Sequence, residues 1–241
     1  MGGRHEGGHD EFYQRKSAFR MIPWILLDKV TIAGGDELRL MRRGEEFSIL
    51  SGSTTLMNSR MSGSEKALAD LACARVGERK KCHILIGGYG MGFTLRAALA
   101  CLRADVRITV AELVPAVVTW ARGPMAHLSA GCLDDPRVTV REEDVRDTIV
   151  GGRFDAILLD VDNGPDGLTQ TANDRLYNLN GLHAARKALR PGGVLAVWSA
   201  SPSPQFTRRL ERAGFAVEEI KTRANSNGKG PRHIIWMAKA G

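Results

Sequence analysis

The chain has 241 residues, 43% apolar and 25% charged, enough for one large α/β domain with a small appendage. The ordinary apolar content, which recurs in periodic blocks, excludes disorder for most of the chain, and no apolar run approaches the roughly 18 residues of a membrane span. Basic residues outnumber acidic ones by 34 to 27 but occur only as scattered pairs, which predicts a solvated surface and no membrane partner.

The N-terminal quarter of the chain divides into an arm and a β-rich segment. Residues 1–20 mix charges of both signs without an apolar stretch, which is not a secretory pattern and predicts a flexible arm. Between residues 24 and 57, apolar side chains alternate with period two around Gly-containing turns, as in short antiparallel strands. A helix-like stretch follows at residues 66–76. We therefore predict an arm (1–20), a β appendage (21–62) and a ligand-binding domain (63–241).

The remainder of the chain has the pattern of a parallel sheet. Continuous apolar runs separated by helix-compatible segments are typical of strands that are covered by helices on both faces. These runs are at residues 84–86, 108–110, 156–159 and 194–197, and the tail adds an antiparallel pair at 215–220 and 233–238. The predicted fold is α/β, a doubly wound, mostly parallel, seven-stranded Rossmann-like sheet with a small N-terminal antiparallel β appendage.

The four cysteines, Cys73, Cys82, Cys101 and Cys132, lie far apart and form no CxxC pair. This spacing predicts neither a zinc site nor a disulfide framework, and reduced thiols are the expectation. We accordingly expect a cytoplasmic protein without a metal site.

A glycine-rich loop, GGYGMGFT, follows the first parallel strand at residues 87–94 and leads into a helical segment. Glycines allow a tight turn and close approach of a ligand to the backbone, while the helix start offers free N–H groups. The loop therefore indicates a nucleotide-type cofactor, with Gly88, Tyr89, Gly90 and Gly92 as the binding residues. Phe93 stands where a dinucleotide fingerprint has its third small residue, so NAD is disfavoured.

Acidic residues follow the next three strands. Glu112 ends the second strand, where a carboxylate accepts hydrogen bonds from ribose hydroxyls. Asp144 follows the third strand and can bind an adenine amino group, with Val145 packing against the ring. The buried fourth strand delivers Asp160 and then Asp162 to the carboxyl edge of the sheet. Two carboxylates there can hold an amine, stabilise a cation or take a proton from a nucleophile, and we expect them to be catalytic.

Taken in this order, the motifs resemble class I S-adenosylmethionine-dependent transferases and, more narrowly, the spermidine/spermine synthase family. The resemblance covers about residues 24–241. Residues 88–96 correspond to the family's G-G-G-D-G-G-T-L-R, residues 135–138 are identical to its D-P-R-V, and Asp160 corresponds to the first acid of its D-S-S-D.

The resemblance implies a sulfonium donor, S-adenosylmethionine or its decarboxylated form, bound in the cleft. It implies that Glu112 binds the ribose, Asp144 lies on the adenine side and Asp160 serves an attacking amine. The partner would be a small-molecule acceptor, and an amine is the expectation. N-terminal strands of this kind assemble subunits in the family, which leaves a homodimer open.

Two departures from the family pattern bear on the reaction. Met91 replaces the acid that faces the amine of the decarboxylated donor, and burying an ammonium without that partner is costly. Loss of the acid also removes its repulsion of the carboxylate of intact S-adenosylmethionine. Residues 63–65, Gly-Ser-Glu, stand where the family has Y-H-E, so only Glu65 remains for a polyamine. These departures favour methyl transfer to a small amine or similar nucleophile, and aminopropyl transfer to putrescine is the alternative.

The sequence raises three further questions. An RNA-directed binding module would use the +7 charge and the arm, but it needs clustered basic residues interleaved with aromatics, and aromatics are only 6% of the chain. We therefore do not expect a nucleic-acid partner. Tyr177 either closes over the acceptor or packs a helix, and Trp198 either lines the acceptor pocket or belongs to the core.

Overall fold

The period-two alternation near the N-terminus forms a four-stranded antiparallel sheet. The computed structural model describes residues 22–32, 37–77, 79–161, 164–165, 175–225 and 227–241, so the predicted arm lies outside the described residues. The small sheet has the order β1-β2-β3-β4. Its strands are β1 (Ile25–Thr31), β2 (Glu37–Arg43), β3 (Glu46–Ser51) and β4 (Thr54–Asn58). β1 is the outer strand, and its apolar side chains at Ile25, Leu26 and Leu27 are exposed; the homodimer stays a prediction.

The continuous apolar runs form the predicted seven-stranded sheet, with the order β10-β11-β9-β8-β5-β6-β7. Its strands are β5 (His83–Gly87), β6 (Arg107–Ala111), β7 (Val138–Arg141), β8 (Phe154–Leu159), β9 (Leu189–Ser199), β10 (Phe215–Arg223) and β11 (Arg232–Ala240). The five strands from β5 to β9 are parallel, while β11 lies antiparallel between β9 and β10. All six residues of β8 are buried, as expected for a central strand. The predicted fold class is confirmed.

Helices cover both faces of this sheet. They are α1 (Gly63–Val76), α2 (Phe93–Cys101), α3 (Pro115–Arg122), α4 (Ala126–Ser129), α5 (Val145–Gly151), α6 (Leu179–Ala188) and α7 (Pro204–Arg212), with a 3-10 turn at Cys132–Asp134. Side chains at the N-caps of three helices, Asp144, Asn178 and Ser203, accept backbone N–H bonds from the first turn. Among the described residues, no helix has the length and apolar content that a membrane crossing requires.

The small sheet shares a hydrophobic core with one face of the large sheet. Leu40, Phe47 and Ile49 of the small sheet are buried in the same cluster as Trp120 of α3. The Trp120 indole N–H also donates to Asp28 Oδ2 at 2.7 Å, which ties α3 to β1. Because the apolar face of the small sheet is buried in this way, the small sheet is held over the carboxyl edge of the large sheet.

The second core cluster lies on the opposite face and contains Tyr177. Its ring is 1% exposed and meets Phe206 edge-on at 5.5 Å between centroids, and Phe206 meets Trp236 in the same way at 4.9 Å. This settles the alternative for Tyr177 in favour of packing, because a side chain so enclosed has no access to an acceptor.

The expectation of four reduced thiols is wrong for two cysteines. Cys73 of α1 and Cys101 of α2 are joined as a disulfide, with their Cα atoms 6.6 Å apart. Cys82 and Cys132 are free and buried. The pair comes together because α1 packs against α2, and such helix packing brings together residues whose positions in the sequence form no recognisable cysteine motif.

Gly88 lies where the loop after β5 meets the end of β8. Its backbone has φ +84°, and a Cβ at this position would lie 2.4 Å from the carbonyl oxygen of Asp160. The Gly88 N–H donates to the Ala111 carbonyl at 2.8 Å, and the Asp160 N–H donates to the Gly87 carbonyl at 2.9 Å. Only glycine permits this approach, which sets the position of Asp160 relative to the glycine loop.

Replacement of Gly88 tests the importance of this contact. We expect Gly88→Ala to lower the free energy of unfolding by about 2–4 kcal/mol, because the new methyl group is both strained and in collision with backbone. Gly52→Ala is the matched control, since Gly52 has φ +54° with nothing within 4 Å of the place that a Cβ would occupy, and it should cost only about 1 kcal/mol. Urea denaturation of both variants gives the comparison, and equal losses would contradict the argument from close approach.

Candidate active site

The main cleft lies between the small sheet and the carboxyl edge of the large sheet. Its walls enclose about 880 Å³, including the open solvent at its mouth. The ends of β5, β6, β7 and β8 form one wall and the small sheet forms the other. The lining includes Gly88, Gly90, Glu112, Asp144, Val145 and Asp160. The structure thus brings six of the predicted site residues to one cavity.

Glu112 is fixed by the backbone at the wall of the main cleft. It is 7% exposed, and its two carboxylate oxygens accept the Tyr89 N–H at 2.8 Å and the Val114 N–H at 2.9 Å. A buried carboxylate that is held from both oxygens has a fixed orientation. Carboxylates of this kind can accept hydrogen bonds from ribose hydroxyls.

Tyr89 and Gly92 contribute to the site through the loop backbone and its packing. The Tyr89 ring is buried, and its hydroxyl lies 3.7 Å from Cys132 Sγ. Gly92 has φ +77°, and a Cβ there would lie 2.6 Å from the Tyr89 hydroxyl. The absence of a side chain at Gly92 thus makes room for the Tyr89 ring, and that ring supports the loop whose N–H holds Glu112.

Asp144 caps α5 and also pairs with a cation. Its Oδ1 accepts the Arg146 N–H at 2.9 Å, and its Oδ2 accepts the Arg146 side-chain Nε–H at 3.1 Å. Val145, the next residue, is buried and lines the same part of the cleft. An amino group that approached Asp144 would thus share its carboxylate with Arg146.

A smaller inner pocket opens beside the main cleft and contains two carboxyl groups. It is lined by Glu65 from the first turn of α1, Asp160 from the end of β8, and the apolar side chains of Leu56, Met57, Met91, Phe93 and Trp198 among others. Thr94 Oγ1 donates to Asp160 Oδ2 at 2.5 Å, and Ser64 Oγ donates to Glu65 Oε2 at 2.8 Å. Each carboxyl group is thus oriented by one hydroxyl.

The two carboxyl groups perturb each other. Burial, and next the charge of Asp160, raise the pKa of Glu65 to about 7. Burial raises the pKa of Asp160 to about 6, although the hydrogen bond from Thr94 acts in the opposite direction. Two anions close together in an apolar space are unfavourable, so the pair retains a proton near neutral pH or binds a cation.

The wall of the inner pocket is apolar where the resembled family has an acid. Met91 is 4% exposed and lies against the pocket. Trp198 is 7% exposed and lines the same space, so it serves both in the core and as a pocket wall. Among the described residues, the acidic side chains that line this pocket are Glu65 and Asp160.

The sequence did not predict several of the residues that line the site. One predicted site residue, Asp162, lies outside the described residues. Sequence reasoning missed Thr94 and the pocket-lining residues of the small sheet, and it assigned no part to Ser64. A hydroxyl residue next to an acid at a helix start is a recognisable signal for Ser64, but it resembles ordinary capping.

Comparison with known proteins gives relatives of one kind. No protein-family model matches the chain. The polyamine aminopropyltransferase of Mycobacterium tuberculosis (strain ATCC 25618 / H37Rv) is 34% identical over 145 residues, which are 56% of this chain and 27% of that protein. That of Corynebacterium efficiens is 35% identical over 123 residues, 49% of this chain and 22% of that protein. The chain thus spans about a quarter of the length of these relatives.

Solved structures share the fold. Spermidine synthase from Thermotoga maritima has a TM-score of 0.70 and 18% identity, covering 90% of this chain and 73% of that one. A probable spermidine synthase from Corynebacterium glutamicum has a TM-score of 0.62 and 14% identity, covering 90% and 80%. The chain therefore has the fold of these spermidine synthases, and the resemblance that the sequence predicts is confirmed.

The raised pKa values predict that acid stabilises the protein at this site. Because the pKa of Glu65 is higher in the folded than in the unfolded state, the folded state binds more protons between about pH 4.5 and 7. This contribution to stability is present below pH 4.5 and is lost as the pH rises through 7. Glu65→Gln, which keeps an acceptor for Ser64, should therefore raise the free energy of unfolding by about 3 kcal/mol at pH 8 and leave it nearly unchanged at pH 4.5.

Urea denaturation at both pH values measures this difference. Glu142→Gln, at an exposed glutamate, is the control and should show no such pH dependence. A Glu65→Gln effect that is equal at the two pH values would contradict the raised pKa of Glu65.

Proposed function

We propose that the chain is a transferase of the spermidine synthase type, which moves an aminopropyl group from decarboxylated S-adenosylmethionine to an amine acceptor such as putrescine. The observation that carries the proposal is the Glu65–Asp160 pair in an apolar pocket beside the main cleft, because two such carboxyl groups attract an ammonium. The names of the relatives support aminopropyl transfer over the methyl transfer that the sequence departures favoured. A spermidine synthase of the same fold has been solved with the transition-state analogue AdoDATO.

The main cleft would bind the adenosyl part of the donor. Gly88 and Gly90 line it without side chains that would obstruct a ligand, and the Glu112 carboxylate would accept from the ribose hydroxyls. Asp144 would accept from the adenine amino group while Val145 packs against the ring. The donor supplies an electrophilic carbon on a positively charged sulfur, and the side chains of the chain have to align the acceptor with that carbon.

The carboxyl pair would prepare the acceptor. Asp160 and Glu65 take a proton from the bound ammonium, which frees the nitrogen lone pair for attack. The new C–N bond forms as the C–S bond breaks, and the electron pair of that bond stays on sulfur. Thr94 keeps Asp160 oriented during this exchange, and the apolar walls at Leu56, Met57 and Trp198 limit the access of water.

Methyl transfer from intact S-adenosylmethionine is the second candidate, and the burial of Met91 in the inner pocket favours it. An aminopropyl donor carries a second ammonium, and Met91 offers it no charge. The same position offers no repulsion to the carboxylate of the intact donor. The two candidates share the cleft and the acceptor and differ in the group that is transferred.

The by-product of the reaction distinguishes the candidates. Incubated with putrescine and both donors, the protein should release methylthioadenosine from the decarboxylated donor, as followed by mass spectrometry. Asp160→Asn should lower the rate by roughly 10²–10⁴-fold, since a carboxamide cannot take the proton. Accumulation of S-adenosylhomocysteine with a methylated amine would instead establish methyl transfer, and no by-product from either donor would refute both.

Met91→Asp tests whether this position selects the donor. The new carboxylate should improve kcat/KM for the decarboxylated donor and weaken binding of the intact donor, each by roughly tenfold, or about 1.4 kcal/mol. Met91→Leu preserves the apolar volume and serves as the control, with donor preference unchanged. Thermal melting of both variants measures any loss of stability that the buried charge causes. Identical donor preference in Met91→Asp and Met91→Leu would show that selection occurs elsewhere.

A further inference from the structure

A line of hydrogen bonds leads from the inner pocket towards the last strand of the large sheet. Ser64 Oγ donates to Glu65 Oε2 at 2.8 Å and lies 2.9 Å from Nδ1 of His233 in β11. Ser64 is fully buried, whereas His233 is half-buried and retains access to solvent. The three side chains thus connect an enclosed carboxyl group with the protein surface.

The imidazole is held in place by its surroundings. Trp198 of β9 meets His233 edge-to-face, with centroids 4.9 Å apart and ring planes at 80°. The Gly63 N–H donates to the Ala224 carbonyl at 2.7 Å, which fixes the start of α1 against the β10–β11 hairpin. Trp198 also lines the inner pocket, so one rigid aromatic ring borders both the pocket and the histidine.

We propose that Ser64 and His233 are positioning residues that orient Glu65 and conduct to the surface the proton that Glu65 and Asp160 take from the acceptor amine. This inference rests on the proposed function. Its class of substrate is a protonated amine, whose ammonium proton is the one that the pair has to discharge.

The proton balance of the reaction requires such an exit. An acceptor that arrives as an ammonium and leaves as an ammonium with one more carbon substituent gives up one proton for each C–N bond formed and C–S bond broken. Once Glu65 is protonated, the hydrogen bond seen with Ser64 reverses: the carboxyl O–H of Glu65 donates to Ser64 Oγ, and the Ser64 hydroxyl donates to Nδ1 of the Nε2–H tautomer of His233. Glu65 then passes its proton to Ser64 Oγ while Ser64 passes its own proton to His233 Nδ1. The imidazolium then loses its Nε2 proton to water, and exchange of the ring tautomer with water resets the line.

The titratable groups around Glu65 determine when it gives up its proton. The titratable groups that face it are Asp160 at the end of β8 and, through Ser64, His233 of β11; the neighbouring Lys66 and Asp70 on α1 are exposed. Burial lowers the pKa of His233, so the ring is neutral at pH 7 and able to accept a proton. The charge of Asp160 opposes ionisation of Glu65 until a cation binds or the proton leaves.

His233 compensates for a histidine of the family pattern that this sequence lacks at residue 64. Ser64 stands where the resembled family has the histidine of Y-H-E, and here an imidazole reaches the same neighbourhood from a residue 169 positions later. The pair Ser64–His233 thus restores a titratable group beside Glu65.

The first test needs no turnover. In protein with ¹³C/¹⁵N-labelled histidine, NMR titration should show a pKa for His233 below 6.5 that moves by about half a pH unit in Glu65→Gln. Ser64→Ala should abolish this coupling. A His233 titration and tautomer that are unaffected by Glu65→Gln would overturn the relay, whether or not the protein turns over either donor.

The second test separates hydrogen bonding from proton conduction. His233→Asn keeps a hydrogen-bond donor near the Nδ1 position but cannot titrate, and we expect kcat to fall roughly tenfold with KM for the amine unchanged. Added imidazole should restore the rate, which it would not do for a merely structural defect. His183→Asn, at an exposed helical histidine, is the control with unchanged kcat.

Wild-type kcat in His233→Asn across pH 6–9, or a loss that imidazole does not restore, would overturn the relay. Failure of the wild-type protein to form product from either donor would instead refute the proposed function, and the NMR coupling would then decide whether Glu65, Ser64 and His233 form a coupled line.

Discussion

Two carboxyl groups facing one apolar pocket are the constraint on which the site depends. Glu65 and Asp160 cannot both ionise at low cost in the inner pocket, because little water is present to separate their charges. A bound cation or a retained proton relieves the repulsion. In the proposed reaction, the affinity of the pocket for an amine, the removal of a proton from that amine and the need to discharge the proton would all follow from this electrostatic conflict.

The fold creates this conflict by bringing together segments of different origin. Glu65 comes from a helix that precedes the parallel sheet, Asp160 from the end of a fully buried central strand, and Thr94 from the helix after the glycine loop. The small sheet supplies Leu56 and Met57 as part of the cover. Because the small sheet shares a hydrophobic core with the large sheet, Leu56 and Met57 are held in place over the inner pocket. A carboxyl pair on an open surface would be solvated and would ionise near its ordinary pKa.

The sequence was sufficient for those features that depend on local pattern. Continuous apolar runs predicted the parallel strands, and the order of strand, glycine loop and acid predicted that Gly88, Glu112, Asp144 and Asp160 share a cleft. The sequence pattern could not predict contacts between distant segments of the chain. His233 meets Ser64 only because β11 inserts between β9 and β10, and Cys73 meets Cys101 only because two helices pack. Arg146 pairs with Asp144 within the first turn of a helix, a contact that requires the side-chain geometry.

Met91 alone does not decide which group is transferred. Met91 removes a charge from one point of the pocket, and reasoning from that point alone favoured methyl transfer. The free energy of binding a cation, however, depends on every charge that reaches it through the same low-dielectric space, and Asp160 and Glu65 both line the pocket that Met91 lines. As a cation approaches, the pKa values of the pair fall and a proton leaves, so binding of the cation is linked to proton release. A pocket built in this way can hold an ammonium without an acid at residue 91, provided that the released proton has a route out, and Ser64 and His233 lie where such a route would begin.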